Sequence, residues 1–172
     1  MTGLSCAHTR FMATTGTGTT QGSALGSTLG RRSYMRTVLE SARASGDMVA
    51  PWAGVDDLQA HFADESDLLG ELHREWLRLL VGRLHRGEIV ARRTPANVRD
   101  LYDEVAAGHP TLRRILDTHH ADPALWEGTA SEHAMLARVA GLSPDDTPQE
   151  EAAAAGRALV HQRIPVQRSV LG

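Results

Sequence analysis

From Arg31 onward, apolar side chains recur every three or four residues, the spacing that lays a single stripe along an α-helix. Tyr34, Met35, Val38, Leu39 and Ala42 form the first stripe, on a helix predicted to end near Gly46. Pro51 and Trp52 then interrupt the pattern, and Asp56 is placed to cap a short turn running to Phe62. Asp64 is positioned to cap the next helix, because its carboxylate can accept from the amides left unpaired at a helix start. That helix is predicted to reach Arg86, with Gly87 as its terminator. At about 100° per residue, Leu68, Leu69, Leu72, Trp76, Leu80 and Leu84 share one arc, while Asp67, Glu71, Arg74, Glu75 and Arg78 cluster on the other. An arc this apolar marks the central helix of a core.

Later boundaries are set by proline and its neighbours. Thr94-Pro95 supplies an N-cap and a first-turn proline, and Val98, Leu101, Tyr102 and Val105 trace the apolar face that follows, up to Gly108. Pro110 opens another helix, carrying Leu112, Ile115, Leu116 and His119 on one face, before Asp122-Pro123 caps and starts the next. Thr129 and Glu132 have capping-box spacing, so Gly128 either divides a short turn from the helix bearing Met135, Leu136 and Val139 or lies within one continuous helix. Thr147-Pro148-Gln149-Glu150 starts an alanine-rich helix that Ile164-Pro165 must end. No alternating strand pattern competes with these helices, and no internal repeat is apparent. The predicted fold is an all-α bundle of five to seven helices.

Composition adds limits rather than chemistry. A chain of 172 residues, 41% hydrophobic, fits one core and one domain. From Ala13 to Gly30 the chain is mainly Gly, Ser and Thr with few large apolar side chains, so residues 1–30 are expected to form a disordered tail. Residues 31–165 then form the helical domain and 166–172 a C-terminal tail. Arg10, Arg31, Arg32 and Arg36 precede the first acid, Glu40; this composition superficially resembles an organellar transit peptide, against the preferred reading of a low-complexity tail. Met12 is an alternative start to Met1. Thr15-Gly16-Thr17-Gly18 lacks the strand and prompt helix that a nucleotide loop requires. A net charge of -3 gives no general excess of positive charge for phosphates. The lone Cys6 cannot form an internal disulfide, and no run approaches the roughly 20 apolar residues of a membrane span. A cytoplasmic protein without membrane partners is expected.

Ala53-Gly54-Val55, Leu58, His61-Phe62-Ala63-Asp64, Leu68-Leu69 and Trp76 together resemble the end of the helix-turn-helix and the following helix of TetR-family transcriptional regulators. That family places an Ala-Gly-Val turn before a recognition helix ending Tyr-x-His-Phe, then a Lys-Glu-x-Leu-Leu helix start. The likeness covers residues 53–84. His109-Pro110-Thr111-Leu112 and Asp122-Pro123-Ala124-Leu125 are similar to sequences in the ligand-binding half of such proteins. The resemblance implies a helical, ligand-binding body that dimerises through its last helices, near residues 130–163. Two departures bear on DNA. Only Asp47 to Trp52 occupy the interval where the family carries an additional helix, and Asp56 and Asp57 stand where phosphate contacts favour basic or hydroxyl side chains. The expected protein is therefore a non-enzymatic TetR-like regulator or small-molecule binder without ordinary DNA binding. The alternative, a functional repressor, would read DNA through Gln59 and His61.

Candidate pocket residues are His73 on the apolar arc, its neighbour Trp76, Tyr102 and His119. For His73 the competing expectation is a core histidine bonded to a carbonyl. Arg83, near the same arc, is either a carboxylate partner or a surface cation at a helix end. A third functional class, a metal-binding bundle enzyme, would draw on His109, His119-His120, Glu127 and Glu132-His133. Adjacent histidines diverge on a helix and no His-Glu-x-x-His pair is present, so no metal or cofactor is assigned. Asp67, Glu71 and Glu75 interleave with Arg74 and Arg78 as a charge-balanced surface, and no nucleophile motif is readable. Ala152 to Gly156 is a small-residue run suited to close helix approach, within the chain or between copies.

Overall fold

The computed structural model describes residues 20–86 and 94–161. Among them are seven helices and no strand: α1 (Thr20–Ser45), α2 (Leu58–His61), α3 (Glu65–Arg86), α4 (Pro95–Gly108), α5 (Pro110–Thr118), α6 (Pro123–Val139) and α7 (Gln149–His161). Local chemistry sets most of these limits. The Asp64 carboxylate accepts from the Asp67 amide at 2.8 Å, Thr94 Oγ1 from Asn97 at 3.3 Å, and the Asp122 carboxylate from Ala124 at 2.9 Å. Each cap occupies the position its residue type predicts, satisfying a donor that the helix cannot pair internally.

Three features differ from the sequence expectations. The first helix begins at Thr20, inside the Gly/Ser/Thr-rich stretch, because each added turn extends a ladder already nucleated where Tyr34, Met35, Val38 and Ala42 are buried. Asp56 does not cap α2; Asp57 precedes it with φ 68°, in the left-handed region, and makes no side-chain cap. α6 runs unbroken through Gly128. Gly87, the Ile164-Pro165 stop, Cys6 and Met12 lie outside the described residues.

α3 is the central element, packing against α4, α5 and α6. Leu68, Leu69, Leu72, Trp76 and Leu80 are all essentially inaccessible to solvent, each contributing roughly 1.5–3 kcal/mol by burial. The loop from Gly46 to Asp57 is fixed by specific contacts in place of a helical ladder. Asp47 accepts from the amides of Val49 and Ala50, Tyr34 donates to the Val55 carbonyl at 3.2 Å, and the Trp52 indole packs on His119 with ring centroids 5.2 Å apart. α6 and α7 form the closest helix pair. A Cβ built on Gly156 would lie 1.8 Å from the His133 carbonyl oxygen, so only glycine permits this approach. The small-residue run therefore packs within the chain, with Ala152 and Ala153 buried alongside Ala134 of α6. No described helix is long and apolar enough to cross a membrane.

Candidate functional site

Side chains from α3 and α5 converge on one buried carboxylate of α6. Glu132 of α6 is only 2% exposed, and its two oxygens are held by two side chains one turn apart on α3. Trp76 Nε1 donates to Glu132 Oε1 at 2.9 Å, and His73 Nε2 lies 2.9 Å from Oε2. An ionised carboxylate only accepts, so Nε2 carries the proton in this pair. Arg113 of α5 adds a cation 3.8 Å from Oε1. Burial alone would raise the Glu132 pKa, but the hydrogen bonds from His73 and Trp76, together with Arg113, hold it below the usual carboxylate range. Glu132 is thus a buried, ionised anchor.

Arg113 is itself fixed on three sides. Its Nε donates to Asp117 at 2.9 Å, and its guanidinium lies 5.1 Å from the Trp76 ring centroid and 5.9 Å from that of Tyr102. Burial opposes its charge, yet the Asp117 hydrogen bond and the surrounding groups leave its pKa raised. Tyr102 of α4 meets Trp76 edge-on at 5.5 Å, and burial pushes its hydroxyl pKa well above the ordinary phenol value. It remains a neutral hydroxyl at physiological pH. Gly128 completes the arrangement, since a Cβ there would come within 2.6 Å of His73 Nδ1.

Beside this cluster lies a cavity of about 480 Å³. Its walls include His73, Tyr102, Arg113 and Glu132, with apolar surface from Leu116 and Leu125 and further imidazoles from His120, His133 and His161. A comparable depression of about 490 Å³ lies elsewhere, between α1, α3 and the α4–α5 junction, but its walls contain exposed Arg36, Glu40 and Arg43 and no buried polar side chain. Of these two, the cavity beside Glu132 joins a ligand-sized volume to prearranged polar groups among the described residues.

The predicted site residues divide between this cavity and other places. His73 and Tyr102 line it, while Trp76 stands behind it as a donor to Glu132. His73 is bonded to a carboxylate, rather than to the carbonyl expected of a core histidine. His119 faces away, packing on Trp52 and donating from Nε2 to the Met48 carbonyl at 3.1 Å. Arg83 forms a surface ion pair with Glu104 at 2.7 Å. Gln59 is exposed on the four-residue α2, and His61 is half-buried against Tyr34. Among the described residues, no three His, Cys, Asp or Glu side chains are placed to hold a metal ion.

Sequence reasoning missed Arg113 as a site residue and treated Glu132 only as a capping partner or metal ligand. A signal was present for the second. Glu132 follows Leu125 by seven positions and precedes Leu136 by four, which places a carboxylate in an apolar stripe. No family model, curated protein or solved structure matches the chain.

Proposed function

We propose that this chain is a non-enzymatic, small-molecule-binding regulatory protein of TetR-like build, without ordinary DNA binding. The observation that carries this reading is the cavity of about 480 Å³ walled by His73, Tyr102, Arg113 and Glu132. Its polar groups are already oriented by one another, so a ligand would not have to order them on binding. The arrangement suits recognition better than proton transfer, because both Glu132 oxygens already accept hydrogen bonds. Loss of DNA binding is supported by the irregular chain from Gly46 to Asp57 in place of a scaffold helix and by exposed Asp56 and Asp57 beside α2. Two carboxylates there would repel phosphates.

A thermal-shift screen of small molecules against the full chain, paired with mobility-shift assays on random and genomic DNA fragments, tests both halves. Stabilising compounds that lose affinity in Tyr102→Phe are expected, with no sequence-specific shift of DNA. Specific DNA binding that Asp57→Arg weakens would overturn the second half, and a screen without any hit would overturn the first.

A further inference from the structure

A second chamber, of about 400 Å³, adjoins the cavity beside Glu132 and shares His120, Thr129, His133 and His161 in its walls. The inner and outer halves of this combined space differ in charge. Inside, Asp117 and Glu132 are both engaged, the first by Arg113 and the second by His73 and Trp76. The outer wall contains no carboxylate. Its one formal charge is Arg157 of α7, which makes no ion pair among the described residues. Trp126, 61% exposed, stands in the same wall as a large unburied ring.

His133 lies at the junction of the two halves. It is 6% exposed, and its Nδ1 has no hydrogen-bond partner. That nitrogen is closed off from solvent, so the ring meets the chamber through its other atoms. The charged and titratable groups around it are Arg113 of α5, His120 in the turn after α5, Glu132 of α6, and Arg157 and His161 of α7. Burial pushes the His133 pKa down, and Arg157, His161 and Arg113 push it the same way against Glu132. The one carboxylate acting on it, Glu132, is already held by His73 and Trp76, and the outer chamber offers the imidazole no second one.

We propose that the combined site takes a small aromatic carboxylate, its ring in the inner half against Tyr102, Leu116 and Leu125, and its carboxylate in the outer half by Arg157 and His133. This rests on the reading that the cavity binds small molecules, and it adds the ligand's charge, shape and orientation. A carboxylate here adds a second negative charge beside His133, so binding favours the protonated imidazole and tightens as pH falls from about 8 to about 6.

Benzoate, benzamide and benzylamine share one ring and differ in charge, which makes them suitable probes for the full chain by calorimetry and protein-observed NMR. Benzoate is expected to bind at least about tenfold more tightly than the other two, as charge-assisted hydrogen bonds to a guanidinium favour an anion. Arg157→Ala, on an exposed position, should remove that preference. Buffer-dependent heats should show proton uptake with benzoate, and His133→Gln should abolish it. If benzamide or benzylamine binds as tightly as benzoate, the carboxylate inference fails while the small-molecule reading stands. Binding of none of the three, nor of any compound in the wider screen, sinks both. Benzoate binding that survives unchanged in Arg157→Ala overturns the orientation proposed here.

Discussion

Removing the Glu132 carboxylate would leave three side chains from two other helices without it at once. Trp76 Nε1 and His73 Nε2 would lose their acceptor, and Arg113 would lose a nearby counter-charge while remaining tied to Asp117. Glu132→Ala is expected to cost about 3–5 kcal/mol in denaturant unfolding, the range for breaking a buried charged network by deleting one partner. Glu132→Gln keeps one acceptor but turns amide hydrogens toward a donor, at a cost of roughly 1–3 kcal/mol. A loss below about 1 kcal/mol for the alanine variant would show that water replaces the carboxylate and that the cluster is not closed. This residue also shows where sequence reading stops. Thr129 and Glu132 have the spacing of a capping box, and an uninterrupted helix with the same spacing turns Glu132 inward on the Leu125–Leu136 stripe. The decision depends on whether a helix passes through Gly128, which is settled by packing against His73 rather than by local propensity.

At the level of elements, one glycine of α6 and one of α7 test different kinds of contact. Replacing an exposed helical glycine by alanine ordinarily gains about 1 kcal/mol in helix propensity. Gly156→Ala should do the opposite, because the new Cβ would fall 1.8 Å from backbone that cannot rotate away, forcing α6 and α7 apart. Destabilisation of roughly 1–3 kcal/mol is expected by chemical denaturation, the usual cost of overpacking. At Gly128 the obstacle is an imidazole rather than backbone. Gly128→Ala should therefore displace His73 from Glu132 with a smaller net loss, and in a His73→Ala background the same change should become neutral or stabilising. Additive effects in that double-mutant cycle would refute direct contact between the two positions. The helix starts at Asp64, Thr94 and Asp122 were legible, since these caps with their following prolines or acids act locally, whereas the starts of α1 and α2 were not. The Gly46–Asp57 loop was not, because Trp52 takes its position from His119, far along the chain, and Tyr34 from Val55.

For the whole molecule, the shifted groups predict stability that falls on both sides of neutrality. His133 has a depressed pKa in the folded state, so as pH drops below 6.5 the unfolded chain takes up a proton that the folded one resists. Glu132 is likewise depressed; below 4.5 the unfolded carboxyl binds protons first, and its contribution is lost as pH falls through the folded-state value. Both effects make stability rise with pH. Tyr102 has the opposite sign, because its folded-state pKa is raised: above 10.0 the unfolded phenol ionises while the buried one keeps its proton, and stability falls. Chemical denaturation at a series of pH values should therefore show two acid-side losses and one alkaline loss. His133→Gln should remove the acid-side step nearer neutrality, Glu132→Gln the more acidic one, and Tyr102→Phe the alkaline one. These steps also connect the core to the cavity, since all three groups stand in its wall. A first acid step that persists unchanged in His133→Gln would mean that the imidazole protonates as readily folded as unfolded, and that neither its burial nor the positive groups around it act on it as their positions imply.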